Sequence, residues 1–390
     1  MFFVEHPYVS DFLKRTLQKH ALPVVRTPVV KDFNLYPGTP LLDEAQACRM
    51  IGETPYPSVY TTSENALSWL SRHPECRHLA QKVALFKNKF AFRKMTRPLF
   101  PDFAFVEVRA EALTTFPFHT FPCPCIIKPS VGFFSMGVYK ITHEKEWPQT
   151  VARILDDITK IQQLYPAEVV SPHAFIIEQC ITGEEFAIDA YYTMAGEPVI
   201  LGILQHTFSS DQDVSDRVYT TSNALYEQHL DAFTSFVGKI GRMAGVKNFP
   251  VHIELRRRPD GALLPIEVNP LRFGGWCSTA DLTYLAYGLN PYLAYHHQQR
   301  PDWPELLSGK EGKLFSIIVL DNSTGVPAED IAAFQFDRVL AGFEKPLELR
   351  EMDYTTYPVF GFLFTETREE RQDELEAILH SSLKEFVTLK

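Results

Sequence analysis

The chain has 390 residues, 45% of them hydrophobic and 22% charged, with a formal net charge of −10. That length exceeds one ordinary core and predicts two or three domains, and the composition is that of a globular protein. The negative balance offers no basic surface to nucleic acid, and no run approaches the ~18 apolar residues of a membrane helix, so a cytoplasmic protein is expected.

In chain order, MFFVEH reads as extended, Ser10 as the N-cap of a helix reaching His20, and ALPVVRTPVV as a strand. Together these make residues 1–84 a small N-terminal α/β unit. No G-x-G-x-x-G follows its first strand, so a dinucleotide fold is not supported. NKFAFRKM has helical spacing with cations, CIIK reads as a short buried strand, and EKEWPQTVARILDDITKIQQLY as a long amphipathic helix. AFIIEQCI, EEFAIDAYYT and PVILGILQH are strand-like, while Gln205 to Thr221 has the composition of a mobile loop. A second amphipathic helix, HLDAFTSFVGKIGRMAG, is followed by a hairpin, by the strand-like KLFSIIVLD and VFGFLFTE, and by a final helix over REERQDELEAILHSSLKEF. The expected domains are 1–84, 85–300 with an internal split near 180, and a C-terminal α/β lobe over 301–390. The six cysteines are too scattered for a disulfide framework. Cys123 and Cys125 flank Pro124 without a second pair or a nearby His cluster, so buried thiols are expected rather than zinc.

Two segments carry chemistry. In CIIKPSVGFFSMGVYKI, Gly132 and Gly137 are spaced like the outer glycines of a P-loop, but Val138 and Tyr139 follow where Lys and Ser or Thr would be required. Lys128 instead precedes the loop, at the end of a strand. In VHIELRRRPDGALLPIEVNP, Asp260-Gly261 between alternating runs predicts a tight hairpin turn. Ile253 then faces Val268 and Leu255 faces Ile266 on one side; Glu254 faces Glu267 and His252 faces Asn269 on the other. Like charges directly opposed are destabilising without compensation, and oxygen ligands from Glu254, Glu267 and Asn269 suit a divalent cation held jointly with phosphates. A solvated pair of glutamates is the alternative. Upstream, Glu178 ends one strand and Glu185 begins the next, where a carboxylate could accept from an adenine amino group or a ribose hydroxyl.

The ordered set Asn88-Lys89, IIKPSVGFFSMGV, IIEQCITGEE, HIEL, IEVNP and LRFGG, spanning roughly residues 85–290, resembles the ATP-grasp superfamily. The resemblance implies an α/β architecture of α+β subdomains with ATP between them. Lys89 and Lys128 match the lysines that reach the phosphates, and the loop from Ser130 through Gly132 and Ser135 to Gly137 matches the one that closes over them. Glu178, Gln179, Cys180 and Ile181 match the hinge that reads adenine mostly through backbone, and Glu185 matches the ribose-binding acid. Glu254, Glu267 and Asn269 match the ligands for Mg²⁺, or Mn²⁺. One departure stands out: the family motif has Arg two residues after the metal-binding Asn, whereas Pro270 and Leu271 separate Asn269 from Arg272. Arg272 and, in the 205–221 loop, Arg217 are the two candidates for stabilising the transferred phosphoryl group.

The resemblance further implies a ligase that activates a carboxylate as an acylphosphate and joins it to an amine, with small-molecule substrates and a homodimer as one assembly. A carboxylase-like or purine-type enzyme activating bicarbonate or formate, a kinase-like member, and a nucleotide-binding regulatory protein are the rivals. His206, Asp211, Asp213 and Arg217 could touch a substrate, but no pattern in the chain identifies it.

Overall fold

A computed structural model describes residues 1–131, 137–164, 174–210, 213 and 215–390. The N-terminal unit holds four short strands, β1 (Phe2–Phe3), β2 (Val24–Val25), β3 (Leu41–Leu42) and β4 (Tyr60–Thr61), all parallel in the order β3-β2-β1-β4. Phe3 and Val25 pack against Ile51, Trp69 and Leu70 on one face, and Phe2, Val24 and Tyr60 against Leu13 and Leu17 on the other. Both faces are covered, which is why these strands read as continuous apolar runs. The helix Asp11–Lys19 starts as expected, with the Ser10 hydroxyl accepting from Leu13 N–H at 3.1 Å. The expected strand over ALPVVRTPVV shrinks to two residues because Pro28 opens a 3₁₀ turn, Pro28–Phe33.

A four-stranded antiparallel sheet follows, built from β5 (Phe105–Arg109), β6 (Cys125–Pro129), β7 (Tyr139–Ile141) and β8 (Ala174–Gln179) in the order β5-β8-β6-β7. The amphipathic helix Trp147–Leu164 buries Trp147, Val151 and Ile154 against Ile127, Ile141 and Ile177 of this sheet.

The largest sheet has eight strands. They are β9 (Glu184–Tyr192), β10 (Pro198–Thr207), β11 (Val218–Ser222), β12 (Phe249–Arg257), β13 (Leu263–Pro270), β14 (Lys313–Asp321), β16 (Pro346–Glu351) and β17 (Val359–Arg368), while β15 (Ile331–Phe334) pairs separately with β18 (Val387–Leu389). The order is β13-β12-β9-β10-β11-β14-β17-β16. Helix Asn223–Ala244 lays Phe233, Val237 and Ile240 into the core beneath it and ends at Gly245 in the left-handed conformation.

Three expectations need correction. The segment 205–221 is not loop throughout, since Gln205, His206 and Thr207 pair with Thr220, Tyr219 and Val218. The boundary at 301 cuts a continuous sheet: β14 pairs with β11 on one side and β17 on the other, so the C-terminal lobe has its own core around Ile318, Phe360 and Leu375 but shares its sheet with the site-bearing half. The final helix covers only Asp373–His380, because Ser381 takes an extended conformation and Leu383 a left-handed one.

Candidate active site

The hairpin of β12 and β13 places its carboxylates as expected, through a route that alternation alone does not show. Arg258 N–H donates to Ala262 and Gly261 N–H to Arg258, so the turn contains Pro259, Asp260 and Gly261, with Gly261 at φ +82°. Pro259 at its first central position favours this longer turn over the two-residue one. That shifts the pairing by one: Leu255 faces Pro265, not Ile266. A bulge at Ile266 then restores the count, and Glu254 faces Glu267, Ile253 faces Val268, and His252 faces Asn269. Ile253, Leu255 and Val268 are buried beneath, so the carboxylates stand on the opposite face by the period of two.

Glu267 is partly compensated by the chain itself. Lys89 Nζ lies 3.1 Å and Lys87 Nζ 3.5 Å from its carboxylate. Burial pushes the Glu267 carboxyl up, but Lys89, Lys87 and Lys128 outweigh it and hold the group well below the usual carboxylate range. Glu254 goes the other way, raised by burial and then by the Glu267 charge opposite. Lys89 owes its place to the N-cap Asn88, whose side chain accepts from Ala91 N–H at 2.8 Å, and to its own N–H donating to Ser130.

Lys128, on β6, is 6% exposed, and its Nζ lies 2.7 Å from Glu178 Oε1 on the neighbouring β8. Arg93 Nε reaches the other Glu178 oxygen at 2.7 Å, and Arg93 Nη1 donates to the Pro265 carbonyl at 2.6 Å. Burial would raise the Glu178 carboxyl; Arg93 and Lys128 override it and bring it down to about 2. This corrects one expectation. The Glu178 side chain does not face a nucleotide base but is buried under two cations, where it fixes the lysine and the helix Lys89–Thr96 against both sheets.

The rest of the hinge follows. Gln179 N–H donates to Ala104 and Cys180 N–H to Pro124. Ile181 joins Phe103 and Leu264 in a small apolar cluster with Phe100, Phe105 and Ile266, which brings Phe105 of the four-stranded sheet together with Leu264 and Ile266 of the eight-stranded one. Glu185 is held by His206 Nδ1 at 3.1 Å and Arg256 Nε at 2.9 Å, and these together bring its carboxyl down despite burial. Arg256 Nη1 donates to the Ile181 carbonyl at 2.6 Å, tying the acid to the hinge.

Arg272 is linked to Lys87 and Asn269 through Glu64. Leu271 adopts φ +62°, which absorbs the extra residue after Asn269 and turns Arg272 toward Glu64 of the N-terminal unit at 3.0 Å. The other Glu64 oxygen is 2.6 Å from Lys87, itself 3.5 Å from Asn269 Oδ1. Arg217 does not join that link. It is 3% exposed, and its Nη1 and Nη2 are bound to Asp321 at 2.6 Å, Ser323 Oγ at 2.8 Å and the Ile378 and Ser381 carbonyls, so both terminal nitrogens hold the C-terminal lobe while Nε is buried without a partner. Asp213 is likewise engaged, accepting from Ser209 and Ser215 within its own loop. Gly132, Ser135 and Asp211 lie outside the described residues; Gly137 has φ +79°. The cysteines carry no disulfide, and of Cys123 and Cys125, expected as buried thiols, Cys125 is buried and Cys123 exposed.

Sequence reading missed Arg93, Lys87, Glu64 and the pair Asp189–His252. Arg93 had a signal, since it lies four residues after Lys89 on one helix face. The others meet only in three dimensions.

Could these residues hold a nucleotide and a divalent cation? Among the described residues, Ser130 Oγ, Arg93 Nη2 and Arg272 Nε are buried without a partner, and such orphans call for acceptors. The oxygen set of Glu254, Glu267 and Asn269 is that of a hard cation. Lysines beside it match phosphate charge. The residues fit both groups.

Residues 121–280 match the family model of the ATP-grasp domain. No curated protein matches the chain by sequence. Among solved structures, an L-amino acid ligase from Bacillus licheniformis superposes with a TM-score of 0.70 at 18% identity, over 100% of this chain and 98% of that chain. An N5-carboxyaminoimidazole synthase from Aspergillus clavatus, in complex with ADP and 5-aminoimidazole ribonucleotide, gives 0.59 at 13% identity over 97% of each chain. A biotin carboxylase from Campylobacter jejuni gives 0.62 at 10% identity over 100% of this chain and 92% of that one. At these identities the likeness is one of fold.

Proposed function

From the premise that this chain carries an ATP-grasp domain on an ATP-grasp fold, we propose that it is an ADP-forming ligase joining a small-molecule carboxylate to an amine. The observation that carries the reading is the opposed pair Glu254 and Glu267 with Asn269 on one hairpin face, beside Lys89 and close to Lys128. A structural hairpin has no use for such a pair, whereas a cation shared with a triphosphate does. The ligase-type neighbours support the choice of reaction class.

In this reading each residue binds, orients or excludes water. Lys128, held by Glu178, and Lys89, held by the N-cap Asn88, meet the phosphates with geometry set in advance. Ser130 and the backbone at Gly137 approach the same oxygens. The hinge Glu178 to Ile181 takes adenine through backbone against the apolar cluster, and Glu185 takes the ribose. Arg272 faces the acceptor carboxylate or the transferring group. Mg²⁺, or Mn²⁺, supplies charge neutralisation there when bound. A carboxylate is a poor electrophile, so the γ-phosphoryl group is transferred to it first, and the amine then displaces phosphate from the acylphosphate. Positioning and charge stabilisation are the protein's contribution to that transfer.

The test is a screen of paired acids and amines read by ADP release. Hydrolysis should require both partners and fall on the order of 10²- to 10³-fold in Lys128→Ala. Release stimulated by bicarbonate alone would place the protein with the carboxylase type. Tight ATP binding with no pair provoking turnover would mark a regulatory protein.

A further inference from the structure

Asp189 lies in the middle of β9, is fully buried, and stands directly opposite His252 of β12. Its carboxylate collects donors from three elements. Oδ1 accepts from His252 Nδ1 at 2.7 Å and from Gly274 N–H at 3.0 Å, and Oδ2 accepts from the Thr279 hydroxyl. Gly274 must be glycine for this, because a Cβ there would lie 2.3 Å from Thr279 Oγ1. The imidazole nitrogen facing a carboxylate already taking two other donors is the N–H, so the ring has one orientation.

That orientation has a consequence at the site. His252 Nε2 points toward Glu254 and lies 3.7 Å from its Oε1, while the ring as a whole is 6% exposed and faces Asn269 across the hairpin. Lys89 and Lys87 approach Glu267, and among the described residues the imidazole is a group brought up to Glu254.

We propose that Asp189 and His252 act as positioning residues, a buried pair that fixes the Glu254 carboxylate in the orientation needed to ligate the cation. The Asp189–His252 contact alone would be a core staple holding β9 to β12. The placement of Nε2 beside one ligand and of the ring opposite another is what a staple would not need. Partners standing behind metal ligands typically tune affinity by 10- to 100-fold. The inference rests on the reading of Glu254 and Glu267 as cation ligands.

The test uses the full chain and Mn²⁺, titrated with and without ADP and followed by the electron paramagnetic resonance of the free ion. His252→Asn keeps a donor for Asp189 and removes Nε2, so it should melt like the parent yet bind Mn²⁺ about tenfold more weakly. His252→Gln, which places an amide near Nε2, should recover most of that affinity. Unchanged Mn²⁺ binding in His252→Asn overturns the proposal. If His252→Asn melts early, His252→Gln decides instead: affinity as weak as that of His252→Ala overturns it. Glu267→Gln separates the two readings. Loss of Mn²⁺ there with parental binding in His252→Asn sinks the positioning role alone, whereas parental binding in both sinks the cation site.

Discussion

At the β13 edge of the eight-stranded sheet, Glu254 and Glu267 face each other across neighbouring strands. Toward the β16 edge two acids have met their bases: Asp281 lies 2.7 Å from Arg350, and Asp321 2.6 Å from Arg217. Arg350 is also bound by Glu348 and sits 4.4 Å over the Phe364 ring. One edge therefore keeps like charges together with lysines only on one of them, and the other closes each charge within the protein. A closed pair is costly to break and has nothing left to bind with. An open pair can take a cation from outside, and the difference separates a site from a joint between lobes.

The sharpest way to break this comparison is at the open edge. Glu267→Gln should cut turnover on the order of 10³-fold, with little change in melting temperature, because a repulsion is relieved as a lysine pairing is lost. A fall in stability large enough to explain the lost activity would make the two edges alike. At the closed edge, Arg350→Met leaves Asp281 buried without its cation and should cost about 3–5 kcal/mol in denaturant unfolding. Folded protein should keep its kcat. Lost activity in fully folded Arg350→Met would extend the site into the C-terminal lobe.

A smaller effect separates two buried acids by the sign of their pH dependence. Glu178, with two cations, is lowered from 4.5 to about 2. Its contribution, about 3 kcal/mol at 1.36 kcal/mol per unit, is fully present above pH 4.5 and is lost as pH falls through the folded value. Asp281 is raised from 3.8 to about 6 by burial that Arg350 only partly offsets. The folded state holds that proton more tightly, so a contribution of similar size, about 3 kcal/mol, is present below the unfolded value and lost as pH rises through the folded one. Unfolding titrations of Glu178→Gln should flatten the acid limb, and those of Asp281→Asn the fall toward neutral pH. Parental slopes in both variants would show that neither carboxyl is tuned as its neighbours imply.

Much of the site was legible because it follows local rules. The alternation through 251–257 and 263–270 put Glu254, Glu267, His252 and Asn269 on one face, and the same rule put Ile253 and Leu255 in the core. Lys128 at a strand end and Ser10 as a cap were readable for the same reason. Arg217 shows the limit. Its polar neighbourhood in the chain looked like an open loop, while its partners Asp321, Ser323 and Ser381 lie more than a hundred positions further on. Glu178 shows a second limit, since a strand-end acid looks the same in sequence whether a base or two cations will meet it.

By itself the order of residues determined most of the longer strands, the Ser10 cap and the hairpin face on which Glu254 and Glu267 emerge, because pleat and helix pitch are set by neighbours a few positions away. Only the tertiary structure decided the rest. The three-residue turn at Pro259 and the bulge at Ile266 cancel in register, Glu64 crosses from the first unit to meet Arg272, and Asp189 gathers donors from three elements. Those outcomes depend on which charges and donors are driven together when the sheets are buried, and a buried group takes whatever partner the packing leaves within reach.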